Sequence, residues 1–227
     1  MLIVAVDTSG RKGGVSLCRG DRESFEVLQL ISLEGGTYSA RLMPRIAEAL
    51  RQSEVEKTQV DGFVVVSGPG SFTGLRVGLA TVKGLCEALG KPLATVSMLD
   101  AVALIPGSPN VKTSVLLDAG RGEIYVGEFH VSASGCAEVV REYIAELEAF
   151  PARGDKNCGA LITPDAKVAE ALQASSICAR LVPAVRADQV GRIGIRKLIT
   201  AHTADPVTID VNYIRRSDAE IFAVPKR

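Results

Sequence analysis

One device occurs twice in this chain, and the repetition limits what it can fold into more than any other feature does. Leu2-Ile-Val-Ala-Val6 runs apolar into Asp7, the turn Thr8-Ser-Gly-Arg-Lys-Gly-Gly14 follows, and Val15-Ser-Leu-Cys18 starts a returning strand. From Lys112 the pattern begins again. Lys112-Thr-Ser-Val-Leu-Leu117 ends in Asp118, Ala119-Gly-Arg-Gly122 turns, and Glu123-Ile-Tyr-Val-Gly-Glu-Phe129 returns. Internal repeats fix architecture before any single element does, so the expected fold is α/β in two related halves. The clearest break between them is Pro106-Gly-Ser-Pro-Asn110, a cluster of turn formers. It sets the halves at residues 1–107 and 108–227, with a tail from about residue 205 that is free to pack back on the first half.

Within each half the periodicity predicts mixed sheets flanked by helices. Phe25 to Ile31 reads as a third strand, completing an antiparallel meander. Leu42, Met43, Ile46, Ala49 and Leu50 have helical spacing between Thr37 and Ser53, and Pro44 predicts a late start or a bend. Phe63–Val66 and Pro92–Val96 are strands on either side of a long helix, so parallel pairing with right-handed crossovers is expected. Met98 to Ile105 is a further helix. In the second half, residues 136–144 and Ala160-Leu-Ile162 read as strands, and Pro164–Ala174 and Asp188–Ala201 as helices. Val207-Thr-Ile209 and Asn212-Tyr-Ile214 look strand-like.

The long helix follows a glycine turn, Ser67-Gly-Pro-Gly-Ser-Phe-Thr-Gly-Leu-Arg-Val-Gly78. Gly68 and Gly70 admit backbone angles closed to other residues, and Pro69 fixes φ between them. Ser71 is well placed as the N-cap, so the first helical N–H groups point into the loop, as in an anion-holding turn. Spaced at about 100° per residue, the side chains sort into three stripes. Phe72, Leu75, Leu79, Val82, Cys86 and Leu89 form an apolar face for a sheet; Arg76, Lys83 and Glu87 are charged; Gly74, Gly78, Thr81, Leu85 and Ala88 form a face of mostly small residues. Interior glycines cost about 1 kcal/mol each relative to alanine, so a close neighbour should compensate. That neighbour is either another element of this chain or a partner protein.

Composition narrows the function classes. Hydrophobic residues make up 47% and charged residues 23%, ordinary for a globular chain with a sizeable core. Lys+Arg and Asp+Glu both count 26, so no global basic field argues for autonomous nucleic-acid binding. Between Arg180 and Arg227 nine basic residues face five acidic ones, a local excess. No apolar run approaches a membrane span and no leader is apparent, which leads to the expectation of a cytoplasmic protein without membrane contact. Five cysteines (Cys18, Cys86, Cys136, Cys158, Cys178) include no C-x-x-C pair, and the two histidines, His130 and His202, lie far apart. Neither a disulfide framework nor a metal site is expected.

Asp7 and Asp118 are paired carboxylates that could hold a magnesium nucleotide between two halves, with Gly68, Gly70 and Ser71 as the phosphate turn. Alternatively each caps its own hairpin turn through local N–H groups. The first turn lacks a threonine-rich phosphate loop, the Gly68–Gly74 loop has no Gly-Lys-Ser/Thr after it, and its spacing is not G-x-G-x-x-G. Neither Ser67 nor Ser71 sits in a G-x-S-x-G elbow. No catalytic set emerges.

Val4-Ala-Val-Asp-Thr8, the glycine turn, Lys83-Gly84 and Asp118-Ala-Gly-Arg-Gly-Glu-Ile-Tyr125 together closely resemble the TsaB family, also called YeaZ. Tyr38-Ser-Ala-Arg-Leu-Met-Pro44 is similar to a segment that reads His-Ser-x-x-Leu-Leu-Pro in many members, and Val211-Asn-Tyr-Ile-Arg215 to the family's end. The resemblance implies an actin-like ATPase (ASKHA) fold of two tandem ribonuclease-H-like subdomains. It also implies an accessory role in making N6-threonylcarbamoyladenosine (t6A) in transfer RNA, beside a TsaD-type transferase and a TsaE-type ATPase. The family's catalytic paralogue uses a His-x-x-x-His metal pair that this sequence lacks; Tyr38 stands where many relatives have histidine. A scaffold therefore follows: no catalytic residue and no cofactor required by this chain, with ATP and magnesium used by its partners. The chain would form a homodimer when alone and meet transfer RNA only through the complex. Its partner interface is expected at Gly74, Gly78, Thr81, Leu85 and Ala88 with Tyr38 and Leu42. The alternative is an actin-fold kinase or nucleotide hydrolase using Asp7 and Asp118.

Overall fold

The computed structural model describes residues 1–105, 112–132, 137–150, 159–212 and 214. The expected linker Pro106–Asn110, Cys136, Cys158, Tyr213 and Arg215 lie outside these residues. Among the described residues, ten strands form two five-stranded mixed sheets. The first sheet comprises β1 (Leu2–Asp7), β2 (Lys12–Gly20), β3 (Phe25–Glu34), β4 (Gly62–Gly68) and β5 (Leu93–Ser97) in the order β3-β2-β1-β4-β5. The second comprises β6 (Lys112–Gly120), β7 (Glu123–Val131), β8 (Ala137–Glu146), β9 (Ala160–Thr163) and β10 (Arg180–Leu181) in the order β8-β7-β6-β9-β10. The two orders are the same. In each sheet the first three strands are antiparallel and the last two join in parallel. The repeated strand, aspartate and glycine turn is thus the start of two ribonuclease-H-like sheets.

Helices α1 (Tyr38–Gln52), α2 (Phe72–Leu89), α3 (Met98–Ala103), α4 (Ala166–Ala174) and α5 (Ala187–Ile199) cover the sheets. β1 and β4 are buried along their whole length, as continuous apolar strands with helices on both faces should be. α1 does not start late; it begins at Tyr38 and carries Pro44 inside. α2 starts at the expected cap, with Ser71 Oγ accepting from the Gly74 N–H at 3.3 Å, and ends at Gly90 in the left-handed conformation.

The chain divides into two compact units, residues 1–101 with 185–211, and residues 102–184 with the end of the chain. α5 lies beyond the 107/108 division drawn from the sequence, yet it packs on β1, β2, β4 and β5 of the first sheet. Two glycines allow it to lie flat there. A Cβ on Gly191 would stand 3.0 Å from Cys18 Sγ, and one on Gly194 would overlap the Val64 side chain. In the second unit Leu116, Ile124, Val126, Ala145, Phe150, Val168 and Leu172 form one apolar cluster between sheet and α4.

The tail departs from its strand-like reading. Asp205 Oδ1 accepts from the Val207 N–H, its Oδ2 from the Thr208 hydroxyl, and the Ile209 N–H donates to the Asp205 carbonyl. Residues 205–209 form one helical turn instead of a strand, because the aspartate side chain offers the backbone a nearer partner than any sheet edge does.

Candidate functional site: the Asp7 turn and helix α2

β1 and β4 are parallel neighbours, so the turns that follow them meet at the carboxyl ends of these central strands. The Asp7-Thr8-Ser9 segment leaves β1 fully buried and runs under the start of α2. The Ser71 N–H donates to the Ser9 carbonyl at 2.6 Å. Cβ atoms built on Gly70, Gly74 and Gly78 would overlap the Ser9 carbonyl, the Thr8 carbonyl and the Thr8 hydroxyl. The glycines of the motif are therefore required by the chain's own backbone. Gly68, with φ of 125°, needs glycine for its conformation as well.

This changes the reading of α2. The small-residue face does not lie open as a unit: Gly74 and Gly78 are buried, Thr81 and Leu85 are half-buried, and Ala88 is exposed. The close approach that Gly74 and Gly78 were expected to offer a partner is taken by Thr8. Tyr38 and Leu42, expected at the same interface, point into the core, with 4% and 1% of their surface exposed. Phe72 differs in the other direction. It was expected on the sheet-facing stripe but is 40% exposed, with the Arg76 guanidinium 3.8 Å over its ring. Outward along α2 lie Ala80, Gly84 and Ala88, each one turn from the next. Gly84 has nothing within 4 Å of where its Cβ would stand. Met43 on α1 is 49% exposed.

The carboxylates are committed locally. Asp7 Oδ1 accepts from the Ser9 N–H at 2.9 Å and from the Ser9 hydroxyl at 2.7 Å. Burial raises the Asp7 pKa, outweighing both of these bonds, which act to lower it. Beside it the Tyr38 hydroxyl donates to the Gly10 carbonyl at 2.7 Å. Burial, with the nearby Asp7 and Glu34 charges, pushes that phenol up to about 12. Asp118 belongs to the second unit and is exposed. Its Oδ1 accepts from the Gly120 N–H at 2.7 Å, and its own N–H donates to Asp165 Oδ2 at 2.8 Å. Asp165, which sequence reasoning did not single out, is thereby the structural partner of the repeated aspartate.

These groups fit a nucleotide poorly. A phosphate turn needs N–H groups directed at an anion, and here the Ser71 N–H is given to Ser9 and the Gly74 N–H to the Ser71 cap. A magnesium-holding carboxylate should be ionised and accessible, whereas Asp7 is 2% exposed with its ionisation opposed by burial. Thr8 Oγ1, buried and without a hydrogen-bond partner among the described residues, faces Gly78 and the helix, not an open cradle. Among the described residues no three His, Cys, Asp or Glu side chains gather as a metal site would require. No described helix is long and apolar enough to cross a membrane.

The chain is similar to known proteins over much of its length. Residues 35–189 match the TsaD family, described as tRNA N6-adenosine threonylcarbamoyltransferase. The Bacillus subtilis "tRNA threonylcarbamoyladenosine biosynthesis protein TsaB" is 31% identical over 140 residues, covering 62% of this chain and 60% of that protein. The chain thus spans about three fifths of the length of that relative. A tRNA N6-adenosine threonylcarbamoyltransferase of Rhizobium leguminosarum is 46% identical over 59 residues, 26% of this chain and 16% of that one. The solved structure of YeaZ from Pseudomonas aeruginosa superposes with a TM-score of 0.72 at 19% identity, covering 92% of this chain and 98% of that one. The shared fold is the actin-like one.

Proposed function

The chain belongs to the TsaB (YeaZ) family, and on that premise we propose that it serves as a non-catalytic subunit in the formation of t6A in transfer RNA, holding a TsaD-type transferase in its working state. The observation that carries this reading is the Ser71 N–H bonded to the Ser9 carbonyl. The glycine turn packs on the chain's own Thr8-Ser9 backbone, and this supports a packing role for it. What α2 offers outward is a stripe of small residues, Ala80, Gly84 and Ala88, flanked by half-buried Thr81 and Leu85 on one side and by Arg76, Lys83 and Glu87 on the other.

Gly84 is the informative member. A glycine in a helix interior costs about 1 kcal/mol relative to alanine, and nothing among the described residues lies close enough to require it. A second helix seated against the stripe would. The transferase is the natural occupant, because its family's sequence pattern runs through α1 and α2 of this chain and closely packed helices favour small residues at the contact. In the absence of transferase, a second copy of this chain would use the same stripe as a homodimer. A TsaE-type ATPase would join the complex, transfer RNA would be met through it, and the chain itself would need no cofactor. Its place would be the cytoplasm.

Reconstituted t6A formation with and without this chain tests the role, and Gly84→Trp tests the surface. The space around Gly84 lets the variant fold, so it should leave the melting temperature near wild type. Transferase affinity should drop at least a hundredfold, about 2.7 kcal/mol. Full modification without the chain, or undiminished binding by the variant, would sink the proposal.

A further inference from the structure

Lys83 stands beside Gly84 on α2 but faces the chain's own carboxy-terminal segment. Its ammonium donates to the Ile209 carbonyl at 3.0 Å and to the Val207 carbonyl at 3.4 Å. These carbonyls belong to the helical turn at 205–209, whose opposite end is capped by the Asp205 carboxylate. One isolated turn is unstable in water, because fixing its backbone costs more than its single internal hydrogen bond returns. This turn therefore depends on its two caps, one from its own aspartate and one from α2. The segment is also pinned on either side: the Ala204 N–H donates to the Leu93 carbonyl at 2.8 Å, and Val211 is buried. Between the pins Val207 stands 76% exposed.

We propose that Lys83 is a latch, a positioning residue that folds residues 205–209 against α2 and so couples occupancy of the α2 stripe to the placement of the carboxy-terminal segment. The coupling rests on the docking reading given above. On α2 the Lys83 side chain points about 100° away from the Gly84 position, so the turn it holds borders the stripe and a partner helix on the stripe would run along its flank. Val207 is the exposed apolar residue of that turn. A turn held by Lys83 presents that valine as part of one rigid surface; a released turn must be ordered again at the moment of binding, which weakens the complex. By linkage the partner in turn stabilises the latch.

Hydrogen exchange and transferase binding, measured on the full chain, test both parts. In Lys83→Met the amides of Val207 to Val211 should exchange at least tenfold faster than in wild type, while those of β1 and β4 stay unchanged. Affinity for the transferase should fall about fivefold, and Lys83→Arg, which keeps the donors, should restore both. Unchanged exchange at Val207–Val211 in the methionine variant would overturn the latch. Faster exchange with undiminished affinity would overturn the coupling. If wild type itself fails to bind the transferase, the docking reading falls, and the exchange measurement still decides the latch.

Discussion

The Thr8 hydroxyl lies against Gly78 of α2 so closely that no side chain fits between them. Gly84, on the same helix, has open space where a Cβ would go. Replacing each by alanine should have opposite consequences. Gly84→Ala gains helix propensity and should stabilise the isolated chain by roughly 0.5–1 kcal/mol. Gly78→Ala has the same gain but must displace the buried Thr8 segment, and the overpacking should leave it destabilised by about 1–3 kcal/mol. Thermal or urea unfolding of the two variants gives the signs directly.

Asp7 makes the fold pH-sensitive in a direction unusual for a carboxylate. Its pKa is raised on folding because burial penalises the charge. Its contribution is therefore fully present below the ordinary carboxylate value and is lost as pH rises through the folded value. Asp7→Asn retains an acceptor for Ser9 and removes the charge. The variant should be more stable than wild type at pH 7, with the advantage shrinking toward zero as pH falls below about 4. A melting-temperature series across that range checks it. A variant less stable at pH 7 would mean that the ionised carboxylate is wanted.

Gly194 meets Val64 across the α5 contact with the first sheet, and the methyls of a buried valine have little room to turn. Gly194→Ala should destabilise by about 1–3 kcal/mol. Combined with Val64→Ala it should cost clearly less than the sum of the two single changes, since the smaller partner vacates the space the new Cβ needs. Strict additivity in denaturant unfolding would show that α5 shifts as a body.

Asp118 holds its own turn through the Gly120 N–H, a job that asparagine performs equally well. Asp118→Asn should change stability by less than about 0.5 kcal/mol. Titration calorimetry with magnesium ATP should give the same trace for wild type and variant. Micromolar binding lost in the variant would restore the kinase alternative.

Much of the architecture could be read from the sequence because its signals are local. Apolar runs ending in Asp7 and Asp118, each followed by a glycine turn, specify a strand and its returning partner without reference to anything distant. The antiparallel pairs β1-β2 and β6-β7 follow from them. What could not be read depends on residues far apart in the chain. Gly74 and Gly78 are interior helix glycines in any reading, but their neighbour Thr8 comes from another strand end. Gly191 and Gly194 carry the same signal, and their neighbours Cys18 and Val64 lie over a hundred residues earlier. Phe72 has helical spacing with Leu75 and Leu79, yet it sits at the very first position of the helix, where the sheet no longer reaches and Arg76 covers it instead. Val207-Thr-Ile209 alternates like a strand, and only the acceptors on Asp205 and the donor on Lys83 make it a turn. The Asp7 turn and the glycine turn were legible as segments, but not that the small residues of the second face the backbone of the first.

The placement of α5 also sets an order of events during synthesis. The strands of the second sheet and its helix α4 all lie between Lys112 and Leu181, whereas the first sheet receives α5 from residues 187–199. While the nascent chain is still emerging, Ala5, Cys18 and Val64 have no helix to cover them. The sheet translated first is thus the sheet covered last. A ribosome stalled short of residue 187 would hold a chain whose second sheet can already pack on α4 while its first sheet still shows an open hydrophobic face, a ready target for chaperones and proteases.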